Sequence, residues 1–163
     1  MKDVHHTAIA AKFNLRNPVH FIALGFGSGL LKPAPGTWGT LAGVPIYIGL
    51  SSFSLITYLI VTAFAFLIGI WFCDITCRDA GVHDHGAIVW DEIVGLLITM
   101  AFVPFAWSNL VLGFLLFRLF DILKPWPIRV LDRQVGGGFG VMVDDVLAGV
   151  FAGTILFLVP FWR

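Results

Sequence analysis

Five carboxylates stand at the ends of apolar segments: Asp91 and Glu92 in IVWDEIVGLL, Asp121 in FRLFDILKPWPI, and Asp144 and Asp145 in GVMVDDVLAGV. The chain has ten acids in all, so half of them fall in these three places. An ionised carboxylate in or beside lipid costs several kcal/mol unless it is paired or bound to a cation. A hard divalent cation such as Mg²⁺ suits clustered carboxylates because it takes oxygen ligands. Adjacent acids on a helix point about 100° apart, so one can ligate a metal while the other bridges to it or serves as a base.

Basic and glycine-rich segments accompany the acids. KPAPGTWGT carries Lys32, the hydroxyls of Thr37 and Thr40, and two glycines that free backbone N–H groups for an anion. FRLFDILK places Arg118, Asp121 and Lys124 at successive i+3 steps, hence on one face if helical. GGGFGVMVDD places three glycines before Asp144 and Asp145, so Asp144 could cap the last helix and Asp145 ligate. Each segment alone has an ordinary reading: a snorkelling lysine, acids suited to a helix N-terminus, a surface ion-pair ladder, a plain cap. Together they bring three acidic sites and three cations to one inventory, which fits metal-assisted hydrolysis of a phosphoryl group.

Other chemistries fail on spacing. GxxxxGK[ST] is absent, so there is no P-loop. Four residues separate Cys73 from Arg78 and none separate Cys77 from Arg78, which does not make a cysteine phosphatase loop. No DxDxT motif is present. His83-Asp84-His85 lacks a third ligand nearby and reads as a solvated loop, while His5 and His6 lie in a terminal tail. The two cysteines, four apart, read as packing residues.

The elements that must position these groups are apolar. Of 163 residues 58% are hydrophobic and 12% charged, against about 25% charged in soluble domains. Mean hydropathy is +0.92. Net charge is zero, which leaves no basic field for nucleic acid. The expected fold is all-α: a multi-span membrane helical bundle with short or re-entrant helices, forming one domain over 1–163 with residues 1–18 as a cytoplasmic tail. Residues 19–31 fall short of the roughly 17–20 needed to span. Residues 31–40 read as a structured loop. Residues 41–73 read as a hairpin turning at Ser51–Ser54, 74–86 as a polar loop, 88–106 and 110–120 as a second apolar pair joined at Trp107–Asn109, 121–145 as a polar loop, and 146–162 as a last segment anchored by Trp162 and Arg163. Basic residues Lys2, Lys12, Arg16, Lys124, Arg129 and Arg133 place the N-terminus and the 121–145 loop on the cytoplasmic side. Two hairpins then bring every polar segment to that one surface.

At four segments the sequence closely resembles the phosphatidylglycerophosphatase A family. The K-x-x-PGT-x-G-T/S block is matched by Lys32, Pro35, Gly36, Thr37, Gly39 and Thr40, and the D-E-x-x-G block by Asp91, Glu92 and Gly95. F-R-x-F-D-x-x-K-P-x-P-I is matched from Phe117 to Ile128, and G-G-x-G-x-M-x-D-D-x-x-A-G from Gly137 to Gly149. The resemblance implies Mg²⁺-dependent removal of the terminal phosphate from phosphatidylglycerophosphate in a bacterial inner membrane. The expected metal ligands are Glu92, Asp121, Asp144 and Asp145, with Asp91 as a candidate base. The expected phosphate binders are Lys32, Thr37, Thr40, Arg118 and Lys124. The rivals are a phosphatase for another lipid or isoprenoid phosphate, a small transporter with an acidic relay, and a non-enzymatic scaffold held by amphipathic helices.

Overall fold

In a computed structural model, residues 13–81 and 85–159 are described. Lys2, Lys12, His5, His6, His83, Asp84, Trp162 and Arg163, all named above, lie outside them. The described residues form seven α-helices and one 3-10 turn, with no strand. They are α1 (Pro18–Ala23), the 3-10 turn (Ser28–Leu30), α2 (Pro35–Leu50), α3 (Leu55–Ala80), α4 (Trp90–Met100), α5 (Trp107–Leu123), α6 (Ile128–Gln134) and α7 (Gly137–Leu158).

Local chemistry sets these boundaries. Asn17 accepts the Val19 N–H at 3.0 Å and Pro18 opens α1, a side-chain cap followed by a residue with no N–H to lose. Ser54 caps α3 by accepting the Thr57 N–H at 3.2 Å, so the hairpin turns at the expected serines. Of the expected tail, Phe13 is buried in the core and its ring lies 5.3 Å from that of His85. His85 Nδ1 accepts the Ala87 N–H at 3.1 Å.

Several boundaries differ from expectation. The 31–40 loop becomes helical at Pro35. The 74–86 loop is helical to Ala80, where Gly81 at φ 65 ends it; Asp74 and Arg78 pair at 2.5 Å one turn apart and leave the helix intact. The second hairpin turns over 101–106, before Trp107, and Asn109 Nδ2 donates to the Pro104 carbonyl at 2.9 Å from inside α5. The 121–145 loop holds the end of α5, all of α6 and the first turns of α7. Asp144 is therefore no cap: Gly136 holds that position, and both acids lie about two turns inside α7. The glycines are helical because α7 starts hard against α3, where a Cβ on Gly138 would lie 2.7 Å from the Asp74 nitrogen.

The short α4 is the hub. It is buried along nearly its whole length and packs against α2, α3, α5 and α7. Its contact with α7 is close enough that a Cβ on Gly149 would sit 2.6 Å from the Gly95 carbonyl oxygen, the small-residue packing that lets helices associate within lipid. Cys73 and Cys77 are both buried in this core, and Cys73 Sγ lies 3.9 Å from Met142 Sδ.

Two helices, α3 and α7, are long and apolar enough to cross a membrane. At 26 and 22 residues they measure about 39 and 33 Å, against a hydrocarbon core of about 30 Å. Large apolar side chains face outward: Ile56, Ile60, Phe64, Leu67 and Trp71 on α3, and Trp107, Val111, Leu115 and Leu119 on α5. Stripes of this size on a water-facing surface would forfeit about 1.5–3 kcal/mol per side chain, so lipid is the solvent they suit. Charge is segregated along the same helices. No Asp, Glu, Lys or Arg lies between Lys32 and Asp74, between Glu92 and Arg118, or after Asp145 up to Val159. The chain reverses over 51–54 and 101–106, so the charged ends of α2 to α5 and α7 fall at one end of the bundle.

Candidate active site

Three carboxylates meet at that end. Asp91 and Glu92 project from the first turn of α4, and Asp145 comes from α7. One oxygen from each lies within 4.8 Å of the others, a spacing that could hold a metal ion. Asp145 is 3% and Glu92 9% exposed, so water does little to screen them. Among the described residues, Glu92 Oε2 and Asp145 Oδ2 are buried without a hydrogen-bond partner. Two orphaned anionic oxygens beside a third carboxylate are the donor set a hard divalent cation takes, so the residues fit Mg²⁺. Glu92 sits on the short α4, outside the two candidate spans. Burial first, and then the charge of Asp145, push its pKa up to about 8; Asp121 adds to this, while a hydrogen bond with Asp91 and the charge of Arg118 oppose it.

Two cations flank the acids. Arg118 reaches from α5 to Glu92 Oε1 at 3.8 Å and pairs closely with Asp121, three residues on. Its Nε is buried without a partner among the described residues. Lys124 does not share their face. It ends α5 at φ 42, a left-handed conformation that costs a non-glycine residue energy. That turn swings its ammonium to Asp132 at 2.5 Å and Asp144 at 2.6 Å. Burial works against the ammonium, but those two hydrogen bonds outweigh it and raise its pKa above the ordinary lysine value.

The KPAPGTWGT segment supplies a wall. The first turn of α2 lies so near that a Cβ on Gly36 would collide with Glu92 Oε1 and stand 2.9 Å from Arg118 Nη1. The positive end of the α2 dipole therefore faces the site. Thr37 is half-buried in that turn, Thr40 is buried with its hydroxyl donating to the Gly36 carbonyl at 2.8 Å, and Lys32 is exposed on the preceding strap. The structure thus gathers Asp91, Glu92 and Asp145 in one group, and engages Asp121 with Arg118 and Asp144 with Lys124. Asp132, which holds Lys124 from α6, was not singled out in the sequence. It sits in a polar stretch where an acid is unremarkable, and only its position eight residues after Lys124 could have flagged it.

Clustered acids, flanking cations and a helix N-terminus at one end of an apolar bundle define a helical membrane protein whose polar site suits a phosphorylated headgroup and a hard cation. Comparison with known proteins agrees. A family model for Phosphatidylglycerophosphatase A matches residues 21–160, and the chain belongs to that family. It is 51% identical to "Phosphatidylglycerophosphatase A" of Haemophilus influenzae over 153 residues, covering 93% of this chain and 94% of that one. It is 42% identical to "Phosphatidylglycerophosphatase A" of Escherichia coli, covering 95% of this chain and 91% of that one. A Bacteroides thetaiotaomicron protein provisionally named a phosphatidylinositol-3-phosphatase is 39% identical, covering 86% and 92%. No solved structure matches the chain.

Proposed function

We propose that the protein is a multi-pass phosphatase of a bacterial inner membrane that hydrolyses the terminal phosphate of phosphatidylglycerophosphate, giving phosphatidylglycerol and inorganic phosphate. The observation that carries this reading is the largely buried Asp91–Glu92–Asp145 group, with Arg118 on Glu92 and Lys124 on the neighbouring Asp144, at the charged end of a bundle whose other end carries no charge among the described residues. Arg78, Arg129 and Arg133 lie at the same end, which supports a cytoplasmic site by the positive-inside rule.

Glu92 and Asp145 would hold Mg²⁺, with Asp91 completing the group. Such an ion supplies charge neutralisation at the phosphate oxygens and lowers the pKa of water. Arg118, the Lys124 ammonium and the N-terminus of α2 bind the remaining phosphate oxygens, joined by Lys32 and the hydroxyl of Thr37, while Thr40 fixes the turn that carries Gly36. Asp121 and Asp144 orient the two cations, and Asp144 stays within reach of the site. Asp91 accepts the proton of the attacking water, whose oxygen bonds to phosphorus as the bond from phosphorus to the glycerol oxygen breaks, and that oxygen takes up the proton and leaves as a hydroxyl. Fixed charge aimed at the developing phosphoryl charge is the main source of rate. The acyl chains remain in the bilayer throughout.

Among the described residues the acids sit at one end, which disfavours a relay across the bilayer and so the transporter reading. A relative named for a different headgroup makes selectivity the question to ask. Phosphate release by the purified protein is therefore measured on phosphatidylglycerophosphate, phosphatidic acid, a phosphoinositide monophosphate and an isoprenoid phosphate. The expected result is a kcat/KM on phosphatidylglycerophosphate at least about tenfold above the others, roughly 1.4 kcal/mol of discrimination. Preference for another lipid would reassign the substrate.

A further inference from the structure

Near the carboxylate group lies a hollow of which the mechanism uses only Lys124. It is a cavity of about 410 Å³ between the end of α5 and α6, walled by Lys124, Trp126, Arg129 and Arg133. Arg129 and Arg133 are four residues apart on α6, so they rise from one face. Both are exposed, and among the described residues neither forms an ion pair, whereas Arg118 and Lys124 are held by carboxylates. Trp126 is 81% exposed at the rim, an aromatic placed as at a membrane interface. Lys124 joins the two sites: it lines the cavity while its ammonium bonds Asp144, the chain neighbour of Asp145.

We propose that this cavity binds the diester phosphate of a glycerophospholipid, so that a lipid with two phosphates separated by glycerol occupies both sites at once. The proposal rests on the phosphatase reading above. Arginine suits the role because its planar fork matches phosphate oxygens, and a phosphate bound there pairs with charge that no described carboxylate holds. A lipid whose only phosphate is a monoester on diacylglycerol can fill one site but not both. The cavity is thus a specificity device: it measures the spacing between the two phosphates.

The test uses the full chain in mixed micelles and the double variant Arg129→Ala/Arg133→Ala. On phosphatidylglycerophosphate the KM should rise about tenfold or more with kcat held within about threefold; on phosphatidic acid the KM should rise less than about threefold. An equal rise on both lipids would mean the arginines merely attract any anionic surface, and would overturn the proposal, as would no change on either. Direct binding of phosphatidylglycerol, which keeps the diester and lacks the monoester, separates this from the phosphatase reading. Its Kd should weaken about tenfold in the double variant. Wild-type protein that binds phosphatidylglycerol through these arginines yet releases no phosphate from phosphatidylglycerophosphate would overturn the phosphatase reading and uphold the cavity. Normal turnover with unchanged phosphatidylglycerol affinity in the variant would overturn the cavity alone.

Discussion

Tyr58 and Lys124 mark opposite ends of the bundle. Near the 51–54 and 101–106 turns, the Tyr58 hydroxyl donates to the Leu97 carbonyl at 2.6 Å, Tyr47 packs edge-on against its ring, and Leu96, Met100 and Leu156 fill the space between. No charged group takes part in those contacts, although among the described residues the buried Tyr47 hydroxyl finds no hydrogen-bond partner. Around Lys124 the same helices carry acids faster than they carry cations to match, and oxygens of Glu92 and Asp145 remain orphaned. One end is built for cohesion, and the other concentrates buried acids, a cost that a bound cation would offset. Substitutions at the charged end should therefore fall chiefly on activity, and those at the cohesive end on stability alone.

The largest effect is expected at the carboxylates. Asp145→Asn should reduce phosphate release by about a thousandfold or more. The same change removes a buried like charge, so in chelator the variant should melt no lower than the wild type, and added Mg²⁺ should no longer raise its melting temperature. A drop in metal-free stability together with retained turnover would move Asp145 out of the site and into the cohesive core.

Lys124→Met comes next. It leaves Asp132 and Asp144 without their shared ammonium and should cost about a hundredfold in activity and ~1–3 kcal/mol in stability, the latter discounted for partial exposure. Gly36→Ala drives a methyl against Glu92 and Arg118 and should lower activity about tenfold with a normal melting temperature, since the colliding atoms are ends of flexible side chains. At the other end, Tyr58→Phe should cost about 1 kcal/mol of stability and leave turnover intact. If Tyr58→Phe lowered kcat as far as Gly36→Ala does, the separation of the two ends would fail.

Titration sharpens the same contrast. Glu92 has a folded pKa of about 8 against 4.5 for a free glutamate, because burial and Asp145 disfavour its ionised form. The unfolded chain thus gives up this proton more readily. Metal-free protein should lose stability as pH rises from about 4.5 through about 8. Mg²⁺ or the Glu92→Gln variant should flatten that slope in a thermal melt, and a slope that survives both would place its origin elsewhere.

How far the sequence reveals this arrangement follows from cost. Charges are expensive in an apolar chain, so Asp91, Glu92 and Asp145 stood out and the structure brings them together. The hairpin at Ser51–Ser54 was legible because three serines cluster there within a long uncharged run. Gly137–Gly140 read as loop because glycine disfavours helix, yet contact with α3 selects residues without a Cβ and overrides propensity. Arg118, Asp121 and Lys124 read as one face because their spacing is helical, but the left-handed turn at Lys124 ends α5 and redirects the third member. Asp132 was invisible because its partner lies across that turn and no local pattern joins them.

The most direct measurement is phosphate release from phosphatidylglycerophosphate by purified protein, before and after chelation and with Mg²⁺ restored. Loss of turnover on chelation, recovery with Mg²⁺, and no recovery in Asp145→Asn are the results expected. Full activity in chelator would contradict a metal held by Glu92 and Asp145, and with it the reading of the charged end as a phosphoryl-transfer site.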